Sequence, residues 1–324
     1  MTRPTIAVTL LSLFPLTACG APLFSESFDA DPTANWTINH GPSDDAADFF
    51  FDYSIVGIPS APNSPGTTRG MKLQANLTNG IFSGFSVSPT GEHFDGNYQL
   101  TFDWWANFNG PFPAGGSGST NLSTFGVGTA GSTPQWPGGA QDSVWFAATG
   151  DGNSAADWRA YSSAAGASYA DGDPVYAAPS RNASDPYYAA FGQVGAPAAQ
   201  ILLFPQQTGT TAVGSAGMAW HQVAITKEVN SLTWTVDGLP IATIDLTAVN
   251  LGGDNIFFGH SDTNATSSTD PFDTSLLFTL IDNIRVVPEP HTLSLAGAAA
   301  LSLAACALGR RKQQLAALQR GVHE

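Results

Sequence analysis

Tyr98-Gln99-Leu100-Thr101-Phe102-Asp103-Trp104-Trp105 alternates with a period of two: Tyr98, Leu100, Phe102 and Trp104 on one face, Gln99, Thr101, Asp103 and Trp105 on the other. Side chains of an extended strand point to opposite faces in turn, so this pattern predicts a strand with one face in a core and the other, including Asp103, toward solvent. The same period recurs near residues 71–77, 81–87, 143–148, 199–204, 220–229, 232–236, 239–246, 255–259 and 276–287, with Gly, Pro and Asn clusters between them. No helical period lasts three turns within residues 22–287. A hairpin is legible in Ser231 to Ile244, where Asp237-Gly238 supplies the positive φ angles of a tight turn between two alternating arms.

Composition agrees with a turn-rich β protein. The chain has 324 residues, 34 of them Gly and 22 Pro, and only 11% are charged. Of its 26 carboxylates only Glu289 and Glu324 lie outside Pro22–Val287, so 24 face the six cations Arg69, Lys72, Arg159, Arg181, Lys227 and Arg285, a balance of −18. Phosphate contacts need clustered Lys and Arg, so nucleic acid is excluded as a partner class, whereas cations or neutral polysaccharides are compatible. The two cysteines, Cys19 and Cys306, sit in terminal apolar stretches, which leaves the middle without disulfide, thiol nucleophile or thiolate metal site.

Both ends read as signals. Residues 1–21 have a positive start at Arg3 and an apolar stretch, Ile6–Phe14, too short to span a bilayer, as a secretory signal requires. Leu16-Thr17-Ala18-Cys19 resembles a lipobox, in which Cys19 would be lipidated; Cys19-Gly20-Ala21 reads as an ordinary cleavage site. At the other end Val287-Pro288-Glu289-Pro290 precedes the uncharged run Thr292–Leu308 and then Arg310-Arg311-Lys312. Seventeen helical residues reach about 26 Å, enough for a hydrocarbon core, and the basic cluster would remain cytoplasmic.

Residues 287–312 resemble the PEP-CTERM sorting domain. The resemblance implies that Pro288, Glu289 and Pro290 are the processing site of an exosortase-type membrane transpeptidase, with Arg310, Arg311 and Lys312 as the stop cluster and a transmembrane helix between. Two prolines would keep the tripeptide extended and a peptide bond accessible at the membrane face. Gln313–Glu324 runs on farther than that family leads one to expect and reads as a cytoplasmic tail.

The opening Leu23–Asp29, the Asp-Gly hairpin and the closing Phe278–Val286 together resemble laminin-G and concanavalin-A-like jelly rolls. This implies an all-β antiparallel sandwich over residues 22–286 with first and last strands side by side. It also implies a structural calcium where those strands meet, on Glu26, Asp29 and Asp282. A glycan face on the concave sheet is expected at Trp105 beside Asp103, an exposed indole next to hydrogen-bonding groups.

Catalytic patterns are missing. Retaining glycosidases need two carboxyl groups about 5–5.5 Å apart, and the glutamates Glu26, Glu92 and Glu228 form no such strand motif. Nor is there a G-x-S-x-G elbow, an H-E-x-x-H helix or a P-loop. The expectation is an exported, non-catalytic cell-surface or matrix protein with an extracellular polysaccharide as partner; a divergent secreted hydrolase and a lipid-anchored binding protein are the alternatives.

Overall fold

The computed structural model describes residues 21–42, 44–64, 66–77, 82–113, 120–262 and 272–289. Cys19, Pro290, Arg310, Arg311, Lys312 and the apolar run before them lie outside these. Among the described residues no helix is long and apolar enough to cross a membrane.

Among the described residues, fourteen strands form two antiparallel sheets. In chain order they are β1 (Phe24–Glu26), β2 (Trp36–Asn39), β3 (Asp45–Asp52), β4 (Arg69–Ala75), β5 (Ser83–Pro89), β6 (Tyr98–Asn107) and β7 (Asn121–Thr129). Then follow β8 (Val144–Thr149), β9 (Trp158–Tyr161), β10 (Trp220–Lys227), β11 (Ser231–Val236), β12 (Leu239–Asp245), β13 (Asn255–Asp262) and β14 (Phe278–Pro288). Eight strands make one sheet in the order β12-β11-β10-β6-β14-β4-β3, with β1 also on β14; the other six run β2-β5-β13-β7-β8-β9. The all-β sandwich is therefore present, and β1 pairs with β14 from Phe24↔Val286 to Glu26↔Ile284.

The alternation along β6 places Leu100, Phe102 and Trp104 between the sheets. There Phe102 meets Phe125 of β7 and Phe258 of β13 edge-on, with ring centres 5.1 and 5.0 Å apart. Each such ring removed from water contributes about 1.5–3 kcal/mol. The hairpin forms as read: Asp237 (φ 50°) and Gly238 (φ 78°) join β11 to β12.

The outer face of β6 departs from expectation. It is covered, over half its length, by a second apolar layer: Tyr53, Val56 and Ile58 from a short 3-10 turn and its exit, and Phe108, Phe112 and Met218 from other loops, packed on Trp105, Phe278 and Leu280. Alternation locates the core face of a strand but cannot tell whether a loop will cover the other. Ala199–Phe204 is likewise no strand: a helix of about one and a half turns, α1 (Ala198–Leu203), starts after Pro197 and Phe204 caps its end. A six-residue apolar run has no period long enough to separate the two. At the C-terminal end β14 continues through Pro288, and the Glu289 N–H donates to the Asn97 carbonyl at 3.1 Å. The compact unit is Pro22–Glu289, three residues beyond the boundary expected.

Candidate functional site

The site is built around a bulge. On β14, Ile281 and Ile284 both point into the core, a spacing of three where a regular strand has two. Asp282 stands opposite Asp103 of β6, and the next paired residue, Arg285, stands opposite Thr101, so β14 has one residue too many. The extra residue is accommodated by Asn283 at φ 52°, a left-handed conformation that Asn tolerates better than most residues. The bulge also marks a change of neighbour: β14 pairs with β4 at Thr279–Ile281 and with β1 at Ile284–Val286.

Asp103 and Asp282 are thus adjacent on one sheet face, 1% and 0% exposed. Each accepts three hydrogen bonds. Asp103 receives the Asn63 backbone N–H (3.2 Å), the Asn63 side-chain amide (2.8 Å) and the Asn283 side-chain amide (2.8 Å). Asp282 receives the Tyr53 hydroxyl (3.1 Å), the Ser64 hydroxyl (2.8 Å) and the Asn283 N–H (2.7 Å). Burial pushes the Asp282 carboxyl up to about 7, with the Asp103 charge adding, against the pull of its three donors. Burial likewise raises the Tyr53 hydroxyl. What this arrangement does is hold the 53–64 segment to the sheet. Chemistry on a glycosidic bond needs carboxyl groups that reach the substrate, and these two are enclosed and saturated.

Beside this knot a groove of about 520 Å³ runs across β1, β14, β6 and β10. Ser25, Glu26, Thr101, Gln222, Asn283 and Arg285 line it, and Asn63 forms part of the rim. The side chains of Ser25, Thr101, Gln222 and Arg285 have no hydrogen-bond partner among the described residues. Glu26 is half-buried, accepts the Phe28 N–H at 2.8 Å and is pushed up chiefly by burial. Among the described residues, no aromatic side chain lines the groove apart from Phe102, whose ring is in the core. A smaller cleft of about 30 Å³, room for one water, lies between the sheets at Asn121, Ser123 and His260. Its His260 is held neutral by burial, down to about 3.

The residues expected from sequence are distributed as follows. Asp103 is not on a solvated face but buried in the knot. Trp105 is not an exposed indole: it is 2% exposed in the second apolar layer, its N–H donates to the Asn107 side-chain oxygen at 3.0 Å, and Trp220 packs edge-on against it. Glu26 and Asp282 do come to the same region, but the Asp282 oxygens are taken by donors, and Asp29 accepts the Ser27 hydroxyl at 2.9 Å. Among the described residues no three His, Cys, Asp or Glu side chains converge in a way that could hold a metal ion. Asn63, Gln222, Asn283 and Arg285 were not singled out from sequence. For Asn283 and Arg285 the signal in the sequence is the Ile281–Ile284 spacing; nothing in the local pattern marks Asn63 or Gln222.

No protein-family model matches the chain, and no curated protein does. Solved structures match it in strand layout. The carbohydrate recognition domain of Emp47p is 11% identical over 85% of this chain and 99% of that one, with a TM-score of 0.43. An endo-acting O-glycanase from human gut microbiota is 14% identical over 83% and 100%, TM-score 0.44. The calcium-bound exoplasmic domain of VIP36 is 10% identical over 79% and 84%, TM-score 0.41. At these values the likeness carries no residue role across, and it spans a recognition domain and an enzyme alike.

Proposed function

We propose that this chain is an exported, non-catalytic surface or matrix protein whose sandwich binds a glycan in the groove across β1, β14, β6 and β10. In this reading its C-terminal region is a PEP-CTERM sorting signal processed by an exosortase-type membrane transpeptidase. The observation that carries the glycan reading is the floor of unclaimed polar groups on Ser25, Thr101, Gln222 and Arg285. Amide, hydroxyl and guanidinium groups held on adjacent strands of a rigid sheet suit the closely spaced hydroxyls of a sugar. The absence of an aromatic platform in the groove favours recognition by hydrogen bonds over ring stacking.

The sorting half rests on Pro288-Glu289-Pro290, the uncharged run and Arg310-Arg311-Lys312. Pro288 pairs with Tyr98 at the end of the interior strand β6 and the Glu289 N–H is bonded to the Asn97 carbonyl, so cleavage there is expected to need local fraying of the end of β14.

A glycan array probed with the purified chain, with and without calcium, tests the binding half. Binding is expected and is expected to disappear in the Thr101→Ala/Gln222→Ala double variant at unchanged melting temperature. A blank array, or binding that survives the double variant, refutes it. Mass spectrometry of the mature termini tests the sorting half, and an intact C-terminus after export would refute processing.

A further inference from the structure

Among the described residues, the groove holds the one Lys or Arg side chain that makes no contact in the fold. Five of the six in Pro22–Val287 are engaged. Arg69 donates to the Phe50 carbonyl (2.8 Å) and lies near Asp52, while Lys72 sits over the rings of Phe51 and Phe278, 4.6 and 4.9 Å from their centres. Arg159 donates to the Ala156 carbonyl (2.6 Å), Arg181 to the Tyr169 carbonyl (2.6 Å), and Lys227 to the Gly96 carbonyl (2.8 Å). Arg285 has no hydrogen bond, ion pair or ring contact among the described residues and is exposed. What sets Arg285 apart is that it has no partner of any kind in a segment with 24 carboxylates. It stands between Thr101 of β6 and Ser25 of β1, just after the bulge.

We propose that the glycan bound in this groove is acidic, a polysaccharide bearing uronate carboxylates, with the Arg285 guanidinium holding a carboxylate and Gln222, Thr101 and Ser25 holding ring hydroxyls. The proposal rests on the glycan reading of the groove and names the class of its ligand. A planar guanidinium presents paired N–H donors that match a carboxylate two-to-two, which a sugar hydroxyl cannot do. The acidity of the segment opposes an anion at long range, but at physiological salt that field is screened beyond roughly 8 Å. Close by, the carboxylates are muted: Asp103 is covered by three donors, and the acceptor capacity of Glu26 is partly taken by the Phe28 N–H.

Calorimetric titration of the full chain with oligomers of galacturonate, mannuronate and glucuronate, and with the same oligomers after reduction of their carboxyl groups, decides the matter. At least one uronate oligomer is expected to bind roughly 10-fold or more tighter than its reduced counterpart, the scale of one hydrogen-bonded charge contact. Arg285→Gln is expected to abolish that difference at unchanged melting temperature, and Arg285→Lys to keep part of it. If reduced and unreduced oligomers bind equally and Arg285→Gln changes neither, the acidic class is wrong while the glycan groove stands. If no oligomer, acidic or neutral, binds, the groove reading itself fails. Equal, Arg285-dependent binding of sulfated dextran would replace carboxylate recognition with a general anion contact and overturn the assignment.

Discussion

Replacing Asp282 by Asn should change how stability depends on pH. The Asp282 carboxyl, about 3.8 ordinarily, is pushed up to about 7 in the fold. Between those values the native chain holds a proton that the unfolded chain has released, so the group's contribution is full below about pH 4 and is lost as pH rises through about 7. A difference of about 3 in pKa corresponds to about 4 kcal/mol in all, with a steepest slope of about 1.4 kcal/mol per pH unit. Asp31, Asp52, Asp237 and Asp245 are held low by their hydrogen-bond partners and act with the opposite sign. They are common to both proteins and cancel in the comparison. Urea unfolding of wild type and Asp282→Asn from pH 4 to 8 should therefore show wild type losing about 4 kcal/mol relative to the variant. A difference that stays within about 1 kcal/mol over that range would refute the account of a buried, proton-holding carboxyl pair.

Trp105→Ala should lower stability by about 3–5 kcal/mol at any pH, because it empties the second apolar layer, and Trp105→Phe by much less; thermal melting measures both. A small loss of stability with a large loss of glycan binding would instead restore the indole to a ligand face. Gly214→Ala should destabilise by well over 1 kcal/mol, since Gly214 has φ +84° and an added methyl would strike the Ala183 carbonyl. Gly238→Ala, at φ +78° with open space around it, should cost only about 1 kcal/mol, so the two melting temperatures should separate clearly.

The sandwich was legible because Tyr98–Trp105 and Ser231–Ile244 alternate cleanly and because Asp237-Gly238 can hardly be anything but a tight turn. Less legible were strands such as β7, where Gly126 and Gly128 interrupt the apolar pattern, and β3, whose Phe49-Phe50-Phe51 run hides its period. The candidate site was half visible. Asp103 and Asp282 stood out as acids on strands, but that they face each other depends on the β6–β14 register, a contact between residues far apart in sequence. The burial of Trp105 depends on the 53–64 segment, and nothing in the local pattern of β6 announces a covering loop. Arg285 was invisible as a site residue because its distinction is relational: it emerges only when the partners of the other five cations are known.

The pairing of β1 with β14 has a mechanical consequence. The two strands are antiparallel, and Leu23 bonds to Val286, so the entering and leaving ends of the sandwich lie side by side. A pull applied between them would open the β1–β14 ladder like a zip, one hydrogen bond after another, where a parallel arrangement would load the whole ladder in shear. Ser25 and Arg285 are opposite each other in that ladder. Tension drawn between those two ends would therefore separate Ser25 from Arg285 among the first contacts to part, before the core yields.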